Sequence, residues 1–538
     1  MEPMNNLNTI GFWERYWVIL PSVIKIMIRK ATTFIELILG GLSILALCVY
    51  FYVAFSRIAY PFTIEWVESN TFLHVVRVLE GKPIYITPSY EFIPMIYTPF
   101  YYYVVAIFAK ITGKIMFSMR LVSVISSLFT FTLIYTLCRL RQITPQLSII
   151  AVGLFAASYA VTGFWFDVGR VDMLNLALLL MGYVLIIAPV KRDITIGVIS
   201  GFVFFLSFAT KQTAILAIPF LLFYLILTRR WMKALWLITS FALSCGLFVI
   251  FMNTSSQGWF WTYIYKIPSA HPISFGMVTH DFWVSYIFPT YPWVIIVVIL
   301  AVIVMLILHD KLGAFYHGVF FLTFFLPLSI MSITSMAKQW GYINGLLPIA
   351  VAFSIITVEA YQMAANAMIS SRNSTWNVKV LYYLISFSII SQFIGLRYDF
   401  RTQIPTQASL SAGKRIISIL RVSKSPIFVP TSPYLLYMAG QQTHFQVSSL
   451  GDLSLAANNN PALLELLKNN LDRINEYILS NSIKTAILPN ANWYDGVFSI
   501  ESGYECESLV NDYPPLITLT GAKSYLDRIC RYYGETTQ

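Results

Sequence analysis

The chain has 538 residues, 57% of them hydrophobic and 11% charged. A soluble protein carries about 25% charged side chains, so the composition excludes an ordinary soluble enzyme and points to many membrane spans. The net charge of +11 does not mark a nucleic-acid binder, because the basic residues lie mostly in short loops between apolar runs, where they set orientation in a bilayer.

The first apolar run, near 33–55, follows a basic, aromatic lead with no cleavage pattern, and is expected to remain as the first helix. FTIEWVESNTFLHVVRVLEGKPIY (62–85) comes next. Phe72, Val75, Val76 and Leu79 form a helical stripe, and Asn70, His74 and Arg77 fall on another face. The pattern predicts an amphipathic helix over 63–80, lying on the outer leaflet, capped by Thr63 and ended by Gly81 and Pro83. Glu65 and Glu68 fall in its first turn, where the helix dipole favours anions; taken alone, they read as capping residues.

The run at 97–111 is short for a span, opened by Thr98 and Pro99 and closed by Lys110 and Gly113. It is expected to be a second surface helix. The runs that follow then place Arg139, Arg141, Lys191, Arg192, Arg229, Arg230, Lys233, Lys311, Arg372 and Lys379 on one side, with Arg15, Lys25, Arg29 and Lys30. That is the positive-inside pattern. The expected fold is an α-helical polytopic membrane protein of about eleven transmembrane helices. Two juxtamembrane helices lie in its first external loop, and the N-terminus is cytoplasmic. Residues 1–396 form the membrane domain and 397–538 a small external α/β domain.

In that tail SPIFVP, THFQVSS and KTAILPN read as short strands, and PALLELLKNNLDRINEYILSN as a helix. Cys506 and Cys530 are either a disulfide, which an external tail permits, or two free thiols. Cys48, Cys138 and Cys245 read as small hydrophobes.

The external loops collect Glu65, Glu68, Asp167, Arg170, Asp172, Lys211, Lys266 and Lys338. Carboxylates and cations at a membrane surface suit transfer of a group from a lipid phosphate to a polar acceptor. A carboxylate can deprotonate the attacking hydroxyl, and cations can hold the departing phosphate. Plainer readings stand beside this one. Asp167 and Arg170 could form a loop-stapling ion pair, although the Arg170 fork also fits phosphate. Lys211 could snorkel. His271 and His280, in the 253–289 loop, read as ordinary loop residues, and the loop itself as a lid or an acceptor platform. Spacing shows no zinc cluster and leaves open a divalent cation at Glu65 and Glu68. Interfacial belts account for most aromatic residues. No Walker loop, paired dinucleotide glycines or Ser–His–Asp order occurs.

In chain order, IEWVESNTFLHVVRVLEGKPIY, IYTPFYYYVVAIFAKITGKIMFSMRLVS, FWFDVGRVDMLNLALLL, ATKQTAILAIPFLL and AKQWGYINGLLP resemble the motifs of the polytopic GT-C glycosyltransferases, the superfamily of protein mannosyltransferases and aminoarabinose transferases. The resemblance covers roughly residues 33–360. It implies an inverting bacterial membrane enzyme moving a sugar from a polyprenyl-phosphate donor to a glycan, lipid or protein acceptor on the non-cytoplasmic face. It implies a first-loop carboxylate as general base, with Glu68 favoured and Glu65 second, since Glu-Trp-Val-Glu departs from the family's Asp-Glu pair. Asp172 matches the second acidic position and would orient acceptor or sugar. Lys338 matches a late basic position and would hold the lipid phosphate, with Asp167, Arg170 and Lys211 as further binding residues. Two other classes stay open: a secondary transporter or lipid-linked-sugar flippase, and a scaffold whose tail binds a partner.

Overall fold

The computed structural model describes residues 10–308, 318–370, 376–479, 483–490, 504–511 and 514–533, with backbone alone at 10–29, 304–308, 369–370, 376–377 and 479. The orienting residues Lys311 and Arg372 lie outside the described residues, as do the side chains of Arg15, Lys25 and Arg29.

The chain is mostly helical. A long helix α1 (Ile10–Arg57) is followed by α2 (Glu68–Leu79), α3 (Phe100–Thr112), α4 (Ile115–Leu140), α5 (Pro145–Ala157), α6 (Asp172–Ile187), α7 (Asp193–Thr210), α8 (Ile218–Leu227) and α9 (Trp231–Ser255). Among the described residues, seven helices are long and apolar enough to cross a membrane, or eight with the bent pair Met277–Thr290 and Pro292–Ile303. Helix boundaries follow local chemistry. Thr144 caps α5 by accepting from the Leu147 N–H, with Pro145 at its first position. Gly113, at φ 69°, ends α3 in the left-handed conformation.

Helix α4 packs between α3, α5 and α6, and α1 lies against α5. The first loop departs from expectation in two respects. Helix α2 begins at Glu68 rather than near Thr63, and Val67 precedes it with no side-chain cap. Nor is it a surface helix with a solvated face, because Glu68 to Val76 are all buried. C-terminal residues cover it: Ser449 accepts from Asn70 Nδ2 at 2.6 Å, and Ser69 accepts from the Tyr434 N–H at 3.3 Å. His74 Nε2 accepts from the Met95 N–H at 2.9 Å, and burial lowers its pKa to about 3. Of the polar stripe, Asn70 and His74 therefore face protein, not water, and only Arg77 stays half-buried at the helix end.

Beyond the helix Trp376–Gly395, the chain forms helices Gln407–Val422, Val447–Asn459 and Pro461–Leu479 around a four-stranded sheet. Its strands are β1 (Ile427–Phe428), β2 (Thr485–Pro489), β3 (Tyr504–Ser508) and β4 (Leu526–Tyr532), in the order β1-β2-β4-β3. Strands β1 and β2 are parallel, and β4 is antiparallel to both its neighbours. Cys506 and Cys530 stand opposite each other on β3 and β4 and are bonded. THFQVSS forms no strand. Its N–H groups bond elsewhere, Phe445 to the Tyr90 carbonyl and Val447 to the Pro430 carbonyl, and a helix starts at Val447.

Candidate active site at one end of the bundle

Two arginines organise the end of the bundle where α1 stops and α4 begins. Arg120, fully buried in α4, meets Glu68 with Nε and Nη2 at 3.1 and 2.9 Å. Its other bonds go to the carbonyls of Arg57, Tyr60 and Phe62 at 3.0, 2.6 and 2.6 Å. A guanidinium placed among apolar helices must find such partners. By gathering these carbonyls, Arg120 holds the chain after α1 in an irregular path, which is why α2 starts late.

Glu68 is saturated in return. Besides Arg120, it accepts the N–H groups of Ile64 (2.8 Å), Glu65 (3.4 Å) and Gly169 (2.7 Å). A Cβ on residue 169 would stand 2.6 Å from the Met119 side chain and 3.2 Å from Glu68, so glycine lets this backbone approach. Burial pushes the Glu68 pKa up, but Arg120 and the backbone donors outweigh it and hold it below the usual carboxylate range.

Arg57, at the end of α1, clamps Asp167 through Nε and Nη2 at 2.6 and 2.5 Å. It also reaches the Tyr159 hydroxyl, the Phe164 carbonyl, Gln403 and Thr520. Asp167 is therefore the partner of Arg57, not of Arg170 as its sequence spacing suggests.

Arg170 turns instead to Glu65, with Nη1 to Oε2 at 3.2 Å. Among the described residues, Glu65 otherwise accepts one hydrogen bond, from the Val67 N–H at 3.0 Å. Burial lifts its pKa to about 7, and Arg170 and the Val67 N–H offset only part of that. The Arg170 guanidinium lies 5.8 Å from the Tyr97 ring centroid and 5.6 Å from that of Trp165. The Trp165 indole N–H donates to Asp172 at 2.8 Å. Asp172, the first residue of α6, also receives Lys211 at 2.7 Å and Asn344 at 3.2 Å. Glu65, Arg170, Trp165, Asp172 and Lys211 thus form one connected line.

The remaining candidates lie aside from it. Lys338 donates to the Pro268 carbonyl at 2.7 Å, with its pKa lowered by burial. His271 sits beside it against the Asp452 carbonyl at 3.1 Å. Lys266 is exposed, and His280 is exposed and paired with Asp281 at 3.0 Å. A divalent cation at Glu65 and Glu68 does not fit this donor set. Each carboxylate is committed to an arginine, and among the described residues no three His, Cys, Asp or Glu side chains converge.

Sequence reasoning missed Arg57 and Arg120. The signal was present for Arg120, a lone charge inside the apolar run 116–138. An ionisable residue within a span is by default a structural or functional centre.

Residues 97–254 match the family model described as dolichyl-phosphate-mannose-protein mannosyltransferase. Among solved structures, ArnT from Cupriavidus metallidurans bound to undecaprenyl phosphate shares the fold at TM-score 0.50 and 11% identity, over 91% of this chain and 98% of that one. Its apo state matches at the same TM-score and identity, over 91% and 97%. An Archaeoglobus fulgidus oligosaccharyltransferase tethered with an acceptor peptide matches at TM-score 0.48 and 10% identity, over 82% and 69%. No curated protein matches in sequence. The resemblance to the GT-C glycosyltransferases drawn from the five motifs is borne out, and the chain has their fold.

Proposed function

We propose that the protein is a membrane glycosyltransferase that moves a sugar from a polyprenyl-phosphate donor to an acceptor hydroxyl, with Glu65 as general base. One observation carries the assignment. Of two carboxylates three residues apart, Glu68 is filled by Arg120 and three backbone donors, whereas Glu65 keeps acceptor capacity and a pKa of about 7. A base works best when its pKa lies near the working pH. This reading reverses the order of preference drawn from the sequence: Glu65 acts, and Glu68 anchors the loop.

The acceptor oxygen attacks the anomeric carbon as its proton passes to Glu65. The bond from that carbon to the phosphate oxygen breaks, and the electron pair leaves with the lipid phosphate. A single displacement of this kind inverts the anomeric centre. Arg170, whose guanidinium makes one hydrogen bond to protein among the described residues, and Lys211 offset the charge that develops on the phosphate. Asp172 holds Lys211 in place and orients the sugar. Lys338 and Asp167 act through structure, the first fixing the 268–274 segment and the second fixing Arg57.

The donor class is supported by the fold shared with a protein bound to undecaprenyl phosphate and by the matched family model. The membrane arrangement follows from the same reading. The seven long helices, the bent pair and three of the shorter apolar helices (α5, α6 and 212–227) make about eleven crossings. Helix α3 lies along the surface. Residues 397–538 stand on the non-cytoplasmic side, where a bonded Cys506–Cys530 pair persists.

The test is a transfer assay on purified protein in detergent with a panel of radiolabelled polyprenyl-phosphate sugars. Wild type is expected to release free polyprenyl phosphate, Glu65→Gln to lose release while staying folded, and product NMR to show an inverted anomeric centre. A fully active Glu65→Gln variant would overturn the base assignment. Absence of release with every donor would overturn the class.

A further inference from the structure

A segment of the C-terminal region is built into the base site. The N–H groups of Leu519 and Thr520 both donate to the Ile64 carbonyl, at 2.9 and 2.8 Å, and Thr520 forms a parallel bridge with Glu65. Residue 520 lies 455 positions from Glu65 in the sequence, so this strand-like pairing is tertiary, not a local turn.

The segment is keyed to Arg57 and Gln403. Thr520 Oγ1 accepts from Arg57 Nη1 at 3.1 Å and donates to Gln403 Oε1 at 2.9 Å. Gln403 in turn accepts from Arg57 Nη1 at 3.1 Å and donates to the Leu519 carbonyl at 3.3 Å. Thr520 is buried, at 1% exposure, so each of these bonds replaces one that water would otherwise supply. The next residue, Gly521, has φ +77°, and a Cβ there would stand 3.3 Å from Glu65 Cγ and 3.6 Å from Oε1. Glycine is required on both counts, the left-handed backbone and the close approach.

We infer that the 517–521 segment is a positioning strap for Glu65, with Thr520 and Gly521 its working residues. The strap fixes the backbone of 64–65 from one side while Arg120 fixes 57–62 from the other. It also walls the Glu65 side chain away from water, the condition that raises a carboxyl pKa. The C-terminal region is then part of the transfer machinery itself, not a separate binding module. The roles of Thr520 and Gly521 rest on Glu65 being the base; the strap contacts do not.

Two readouts keep these apart. The first needs no substrate. A hydrophobic carbodiimide modifies protonated, buried carboxyl groups, and mass spectrometry reads its rate at Glu65 and Glu68 separately, in full-length protein. In Thr520→Val and Gly521→Ala, labelling of Glu65 is expected to change at least fivefold while labelling of Glu68 stays near wild type; Gly521→Ala should also lower the unfolding temperature, since its φ of +77° penalises a side chain. Thr520→Ser, which keeps the hydroxyl, should restore the wild-type rate. The second readout is transfer. Both variants should lower kcat about tenfold at unchanged donor KM and shift the pH midpoint of kcat, again with rescue by Thr520→Ser. Glu65 labelling that ignores both substitutions would overturn the strap. Altered labelling with no wild-type transfer from any donor would keep the strap and sink the glycosyltransferase reading. Altered labelling with unchanged transfer would overturn the positioning role.

Discussion

Two kinds of ion pair share one end of this bundle, and they differ in how fully each member is occupied. In Arg120–Glu68 and Arg57–Asp167 the guanidinium and the carboxylate are met by further carbonyls, N–H groups or hydroxyls. In Glu65–Arg170 and Asp172–Lys211 each cation makes a single hydrogen bond to protein among the described residues. A buried charge must be compensated, and the first pair type compensates wholly within the protein. The second leaves donors on Arg170 and Lys211 and acceptor capacity on Glu65 for something else, although Asp172 is also met by Trp165 and Asn344. Saturated pairs build the scaffold; unsaturated pairs are where a ligand can complete the network.

The largest effect should come from breaking the open side. Glu65→Gln keeps the size of the side chain and its bond to Arg170, yet removes the carboxylate proposed as the base. Turnover should fall roughly hundred- to ten-thousand-fold, measured as release of lipid phosphate, while thermal unfolding in detergent changes little. Glu68→Gln is the control that sharpens the contrast. It should act mainly on stability, and a loss of turnover confined to Glu68→Gln would restore Glu68 as the base.

Breaking the closed side should instead cost folding. Arg120→Met strips Glu68 of its counter-charge and leaves the Arg57, Tyr60 and Phe62 carbonyls without their donor. Removing one partner of a buried pair destabilises by about 3–5 kcal/mol. The expected result is a lowered unfolding temperature together with lost activity. A stable, inactive Arg120→Met protein would show that this pair works in catalysis after all.

How much of this was legible in the sequence divides along the same line. The polytopic helical fold, the acidic first loop and the gathering of Glu65, Arg170, Asp172 and Lys211 could be read from apolar runs, loop parity and motif order. The pairing could not. Asp167 and Arg170 are three residues apart and look like partners, yet Arg57 and Glu65, each more than a hundred residues away, take them. The start of α2 was misplaced because a helical stripe shows which residues share a face, not whether a distant Arg120 occupies the carbonyls before them. The buried polar face of α2 was hidden for a related reason. Asn70 looks solvent-facing until C-terminal Ser449 covers it, and His74 until the chain around Met95 folds back on it.

pH sharpens the comparison without a mutation. Glu65 accepts a proton only when ionised, and its pKa of about 7 puts that change within the working range. The logarithm of kcat should therefore fall by about one for each pH unit below 7. A carboxylate held as low as Glu68 would give a flat profile through the same window. In stability the sign is opposite. A carboxyl whose folded pKa is raised contributes stability below its unfolded pKa and loses it as pH rises through about 7. A profile that stays flat down through the ordinary carboxylate range would move the base assignment back to Glu68.

The smallest effect concerns the outer pair. Lys211 gives one hydrogen bond to Asp172, whose other partners are Trp165 and Asn344. Lys211→Met removes a cation without emptying the anion's shell, so the fold should hold. Hydrogen bonds to charged groups contribute about 1.5–3 kcal/mol, and the loss should fall on whichever state carries the phosphate charge. If Lys211 holds the intact donor, the loss appears as a raised donor KM, tenfold or more, at unchanged kcat. If it stabilises the charge that grows as the lipid phosphate leaves, kcat falls and KM stays. The same substitution at a lysine that only snorkels would leave both constants unmoved, and would shrink the open side of the comparison to Glu65 and Arg170.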